Sequence, residues 1–244
     1  MGAYVFCVED NSAPWWGAAY LRRSPKNMSD ATMFIWLIAF GVAVLGGIPY
    51  LIWLIVTAVK KRWRKLIILV AVPVVAYGIL TITTGFIDRA AYRSYLRDIY
   101  DTSVDYGDPI FEYYSDRSFH GDGYSIEIYK LPDSIRKRFE AADADLLQHF
   151  PKRPNYRDDW ETETWREAPF DSAFDDYLSF ALSSYDADNA NGLSGYFDDI
   201  RSALQSKRTF YSFFKYDHGD HPGNIDMFII DLERGRVYEI NHNT

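Results

Sequence analysis

Two long stretches without a charged residue dominate the first third of the chain. One covers 32–59 and the other covers 66–87. As helices rising 1.5 Å per residue they would be about 42 Å and about 33 Å long, and the hydrocarbon core of a bilayer is about 30 Å thick. The pattern therefore predicts two transmembrane helices, preceded by an N-terminal segment at 1–31.

A short basic connection separates the two predicted spans. Its residues 60–65 include Lys60, Lys61, Arg62, Arg64 and Lys65. Dense positive charge in a short loop is retained on the cytoplasmic side, although the more scattered arginines and lysines outside the spans give an opposing signal. We therefore expect a multi-pass protein of the bacterial cytoplasmic (inner) membrane, with residues 88–244 on the extracytoplasmic, periplasmic side.

Residues 88–244 alternate between helical and strand-like patterns. Strands are predicted at 110–114, 124–129, 209–216, 225–232 and 236–240, and helices at 134–150, 170–182 and 193–204. Two polar stretches, 158–165 and 217–224, are predicted to be loops. The order of the elements predicts an α+β domain: an antiparallel sheet with helices packed on one face.

Acidic residues outnumber basic ones in this domain. From residue 88 onward there are 31 aspartates and glutamates against 18 lysines and arginines, a net charge of −13. This balance argues against a nucleic-acid partner, because phosphate backbones attract basic surfaces. It favours a basic protein partner, which complementary charge would steer into contact.

The acidic residues concentrate between 158 and 176, where large aromatic residues are interleaved with them. Complementary charge speeds association, and tryptophan and tyrosine are common interface anchors. The predicted partner-binding residues are Asp158, Asp159, Trp160, Glu161, Glu163, Asp175 and Asp176. The alternative is a solvated acidic loop whose aromatic side chains turn into the core.

Catalytic signatures are absent from the sequence. There is no GxSxG, HExxH or CxxC motif and no phosphate-binding glycine loop, and Cys7 is the single cysteine. We therefore predict a protein that is not an enzyme and that needs no cofactor. His120 and Asp122 flank Gly121 in a segment that we interpret as a structural turn.

A second polar cluster contains residue types that suit a metal ion. The segment Asp217–Asn224 includes His218, Asp220 and His221. Imidazole and carboxylate groups bind zinc, but a site needs three or four ligands that converge. We predict a polar hairpin loop there, with metal binding as the alternative.

Three segments together resemble a family of uncharacterised bacterial cell-envelope proteins, many of them lipoproteins. They are Phe119–Gly123 (FHGDG), Trp165–Phe170 with proline four residues after tryptophan, and the terminal pair 225–231 and 237–240. Ala168 stands where the family has leucine. The resemblance covers 110–244 and implies an extracytoplasmic α+β domain with Trp165 in its core; it implies no activity.

These observations favour an immunity protein anchored in the bilayer, whose acidic domain binds and neutralises a basic toxin acting in the envelope. A non-catalytic envelope sensor or assembly factor is the second hypothesis. A metal-dependent envelope enzyme using the 217–221 cluster is the third.

Overall fold

A computed structural model describes residues 29–115, 122–152, 160–183 and 190–244. The chain forms two compact units, and the described residues divide between them at 93 and 94. His120 and Gly121 of the predicted turn lie outside the described residues.

The first unit consists of two long helices, α1 (Asp30–Val59) and most of α2 (Trp63–Tyr100). Both are long and apolar enough to cross a membrane. Their large apolar side chains point outward; Phe40 is 69% exposed and Leu45 82% exposed. Pro49 and Pro73 lie inside the helices without ending them. The two predicted spans are thus confirmed as helices.

Three contacts at successive levels align α1 and α2 antiparallel. The backbone N–H of Ser29 donates to Asp88 Oδ1 at 2.9 Å, and the Ser29 hydroxyl caps α1 by accepting from Thr32 N. The rings of Trp36 and Tyr77 meet edge to face, 6.0 Å between centroids. Nearer the connection, the Tyr50 hydroxyl donates to the carbonyl of Leu69.

The second unit is built on a six-stranded antiparallel sheet in the order β1-β2-β6-β5-β4-β3. The strands are β1 (Phe111–Tyr114), β2 (Gly123–Lys130), β3 (Glu161–Glu167), β4 (Thr209–His218), β5 (His221–Asp231) and β6 (Arg236–Asn243). Between them lie α3 (Asp133–Glu140), α4 (Ala144–His149), a 3-10 turn (Ser172–Phe174), α5 (Asp175–Ala181) and α6 (Ala190–Ala203). The α+β class is confirmed.

Helices cover both faces of this sheet, and the prediction of one covered face is wrong. On the first face, α5 and α6 pack over a core that includes Ile126, Met227 and Ile240. On the second face, Phe139 of α3 contacts Phe210, and Tyr100 at the end of α2 contacts Phe228. The central strands carry apolar residues on both faces of the sheet, so both faces must be buried.

Three local predictions are also corrected by the structure. The single predicted helix 134–150 is two helices, because Asp143 caps α4 by accepting from Leu146 N at 2.9 Å. The predicted loop 158–165 contains most of the edge strand β3. The predicted hairpin loop 217–224 is shorter than expected, because His218 and His221 pair across a two-residue turn.

Candidate functional site

Strand β3 places two of the predicted partner-binding carboxylates on the first face of the sheet. Glu161 is opposite Lys215 and Glu163 is opposite Phe213, whose ring belongs to the core under α5. Glu161 is well exposed, and its Oε2 lies 3.0 Å from Lys215 Nζ. Because β3 is an edge strand, charged side chains here also discourage pairing with another sheet.

The segment after β3 adds further acidic groups to the same face. Asp171 accepts a hydrogen bond from Ala173 N at 3.0 Å and so caps the 3-10 turn. Asp175 and Asp176 follow in the first turn of α5, where both are exposed. Carboxylates are favoured there because the N-terminus of a helix carries partial positive charge.

The β4–β5 hairpin brings in carboxylates from more than forty residues further along the chain. Gly219 adopts a φ of 65°, and the Gly219–Asp220 turn lets β5 fold back on β4. A shallow cleft of about 140 Å³ results, lined by Asp176, Tyr177, Asp217, Gly219, Asp220, His221 and Pro222. The Tyr177 hydroxyl lies 2.9 Å from each carboxylate oxygen of Asp217.

Lys215 connects the β3 carboxylates with this cleft. Its side chain is only 12% exposed and donates to the Tyr177 hydroxyl at 3.2 Å, with its ammonium 4.6 Å from the centre of the Tyr177 ring. Burial alone would lower the pKa of Lys215, but the hydrogen bonds with Glu161 and Tyr177 outweigh it and raise the pKa. Lys215 therefore stays charged, and Glu161 and Tyr177 of the same domain are its partners.

Arg166 is the second cation among these groups, and it is also paired. It contacts Glu163 at 3.3 Å and Asp171 at 3.1 Å. We call seven carboxylates of β3, of the segment after it and of the hairpin the acidic surface: Glu161, Glu163, Asp171, Asp175, Asp176, Asp217 and Asp220. Among the described residues, these seven carboxylates and the two cations Lys215 and Arg166 leave a net charge of −5 on this surface.

Trp160 is not part of the acidic surface, contrary to its predicted role as an exposed anchor. Its side chain is 3% exposed. Successive side chains of a strand point to opposite faces, so Trp160 and Thr162 lie on the second face, away from Glu161. Thr162 pairs with Phe214 of β4 there. Asp158 and Asp159 lie outside the described residues. Of the aromatic residues in this segment, Tyr177 is half-buried and stands at the cleft.

The residues considered for a metal ion, His218, Asp220 and His221, lie at the turn of the β4–β5 hairpin. The ring of His218 lies against Gly223, where an added Cβ would come within 1.7 Å of His218 Cδ2, and it meets the Tyr216 ring edge to face at 5.1 Å. Among the residues that the structure describes, no three histidine, cysteine, aspartate or glutamate side chains are grouped to hold a metal. His218, Asp220 and His221 thus do not converge with a further ligand there.

A tyrosine–carboxylate cluster on the second face escaped the sequence reasoning. Glu239 Oε1 accepts from the hydroxyls of Tyr100 and Tyr106, at 2.9 Å and 2.8 Å. Glu127 is directly opposite Glu239 on β2 and accepts from Tyr114 at 2.6 Å. Burial, and then the charge of Glu127, raises the pKa of Glu239 to about 7. No local motif could have shown this, because the partners converge only through strand register.

Comparisons of the chain with protein-family models, with curated proteins and with solved structures gave no match.

Proposed function

We propose that this chain is a membrane-anchored bacterial immunity protein whose acidic surface binds and neutralises a basic toxin that acts in the cell envelope. The observation that carries the proposal is the concentration of seven carboxylates around one edge of the sheet and the neighbouring cleft. Both cations within that surface are already engaged in ion pairs. A basic partner would therefore meet a negative potential that the described cations of this surface do not cancel.

The two apolar helices supply the anchor in this proposal. Both are long enough to cross a bilayer, and their apolar side chains are exposed. The five basic residues of the connection at 60–65 favour its retention in the cytoplasm. The domain would then lie on the outer side of the cytoplasmic membrane, where it would meet a toxin during entry.

Neutralisation would be stoichiometric occlusion. The exposed carboxylates Glu161, Asp175 and Asp176 would steer the toxin, and the cleft beside Tyr177 would receive one of its lysine or arginine side chains. The pKa of Tyr177 is raised, by burial and by its hydrogen bond with Asp217, so its ring remains neutral. A neutral aromatic ring beside a carboxylate is a favourable environment for a cation.

A protection assay tests the proposal. The product of a gene adjacent to this one would be directed to the periplasm of a bacterium that expresses the full chain or a variant. We expect the full chain to restore growth and E161K/E163K/D175K/D176K to fail. The control D108K/E112K/D198K/E233K makes the same charge change on exposed residues outside the acidic surface and should still protect.

Two outcomes would contradict the proposal. Protection by the acidic-surface variant equal to that of the unmodified chain would show that this surface does not bind the toxin. Loss of protection in both variants, with both proteins folded, would show that only total charge matters.

A further inference from the structure

The tip of the helical hairpin concentrates positive charge that the described residues leave unpaired. Lys60, Lys61 and Arg62 connect the helices, and Arg64 and Lys65 lie in the first turn of α2. All five side chains are exposed. Within the described part of the chain, none of them forms an ion pair, unlike the cations of the acidic surface. Five like charges kept this close repel one another unless an external anion compensates them.

The backbone of the connection explains why the charges are so close. Lys61 has a φ of 52°, and Arg62 N donates to the carbonyl of Thr57 at 3.2 Å, so the chain reverses within a few residues. The basic side chains therefore surround the ends of both helices. We call these five residues the basic tip.

Aromatic side chains mark the level of the basic tip along the helices. Trp63 begins α2 and is 65% exposed, and Trp53, seven residues before Lys60 on α1, is 58% exposed. Exposed tryptophans at the ends of apolar helices are typical of the membrane–water interface. On α1 the apolar residues are followed by Trp53 and then by Lys60, which is the order of acyl chain, interface and phosphate in a lipid leaflet; on α2, Trp63 stands among the cations.

We propose that the basic tip is a binding site for anionic phospholipid headgroups. The group recognised is a phosphate monoanion held by several lysine and arginine side chains. We propose that an anionic lipid such as phosphatidylglycerol supplies this phosphate. Neighbouring tryptophans and apolar helices suit the glycerol and acyl parts of that lipid, which free phosphate lacks. The inference rests on the membrane anchoring proposed above but not on the toxin.

The test uses the purified full chain in a neutral detergent. Native mass spectrometry would count the lipids retained during titration with phosphatidylglycerol or with zwitterionic phosphatidylcholine. We expect phosphatidylglycerol to bind at least about tenfold more tightly, because each basic residue near the headgroups adds to the attraction. Equal retention of the two lipids by the unmodified chain would overturn the proposal.

Matched variants locate the site. K60Q/K61Q/R62Q should reduce the preference for phosphatidylglycerol at least about fivefold. R89Q/R93Q/R97Q removes three charges from exposed positions near the opposite end of the helices and should keep the preference. The charge-conserving K60R/K61R should also keep it, which guards against a folding defect at the tip. An equal loss in the control would contradict the assignment.

Two further arms separate this inference from its alternatives. Inorganic phosphate at the lipid concentration should not displace phosphatidylglycerol; displacement would show a general phosphate site and overturn the lipid assignment. Alkaline extraction of membranes tests the anchor independently. If the chain resists extraction but shows no lipid preference, the lipid-binding role of the basic tip is refuted and the proposed function still stands. If the chain is extracted, the proposed membrane anchor is refuted.

Discussion

Glu127 and Glu239 occupy directly opposed positions on β2 and β6, so two carboxylates share one patch of the second sheet face. Tyr114 donates to Glu127, and Tyr100 and Tyr106 donate to Glu239. Like charges at opposed positions destabilise a sheet. The raised pKa of Glu239, about 7, means that below neutral pH the pair avoids this repulsion by keeping a proton.

Replacing Glu239 by glutamine should change how stability depends on pH. The ordinary pKa of Glu239 is 4.5 and the folded value is about 7, so the folded domain keeps a proton that the unfolded chain releases. The stabilisation from this group is complete below pH 4.5 and is lost as the pH rises through about 7. Glutamine stays neutral and can still accept from the two tyrosines.

We therefore expect E239Q to be more stable than the unmodified chain at pH 8, by up to about 3 kcal/mol, and to show no advantage at pH 4. Thermal unfolding of the full chain in detergent at both pH values measures the difference. E233Q, at an exposed position, is the control and should follow the unmodified curve. Equal pH dependence in E239Q and the unmodified chain would contradict the raised pKa.

Trp165 should be essential to the core of the second face. It is 1% exposed, its Nε1 donates to the carbonyl of Ile99 at 2.9 Å, and its ring contacts those of Tyr100 and Phe139. W165A should destabilise the domain by about 3–5 kcal/mol. W165F keeps a ring but loses the donor, so it should cost less. A Tm unchanged in W165A would be incompatible with this packing.

The repeating patterns of the chain allowed most of the elements to be predicted, and the failures have identifiable causes. The apolar spans, the alternation around Ile126 and the helical spacing around Phe197 all lie in the elements expected. Strand β3 was missed because its sequence, ETETWRE, is mostly charged or polar, which suits an exposed edge but resembles a loop. The hairpin around Gly219 was predicted, but with a loop of eight residues at 217–224 instead of a two-residue turn, because the strand ends beside the turn are polar.

The candidate site shows the same limit more clearly. The acidic residues of 158–176 and those of 217–220 were two separate signals in the sequence. The first was interpreted as a partner surface, and the second as a polar hairpin loop with metal binding as the alternative. Pairing of β3 with β4 and the contact of Tyr177 with Asp217 join them into one surface. Strand register and the direction of each side chain decide which residues converge. For this reason Trp160 was predicted on the partner surface although its side chain is buried.

The orientation of the domain can be tested in cells. A reporter active only in the periplasm, fused after Thr244, should be active, and a reporter active only in the cytoplasm should be silent. Neutralising all five residues of the basic tip should scramble or invert insertion, because they provide most of the orientation signal. Cytoplasmic activity of the fusion to the unmodified chain would remove the case for an envelope toxin.

Binding kinetics would show whether the acidic surface steers a partner. With a basic toxin identified by the protection assay, E161K/E163K/D175K/D176K should associate at least about tenfold more slowly at low salt, while dissociation changes little. Long-range attraction between exposed charges is screened within about 10 Å at 0.1 M salt. Added salt should therefore slow association of the unmodified chain and bring its association rate closer to that of the variant.

Two comparisons make the kinetic result specific. D108K/E112K/D198K/E233K has the same net charge as the acidic-surface variant, so it should associate faster than that variant if position matters as well as total charge. W160A should lower Tm, because Trp160 is buried, and should leave the association rate of the folded fraction unchanged. Equal association rates for both charge variants would mean that the acidity of the domain acts through net charge alone, as a determinant of solubility rather than of recognition.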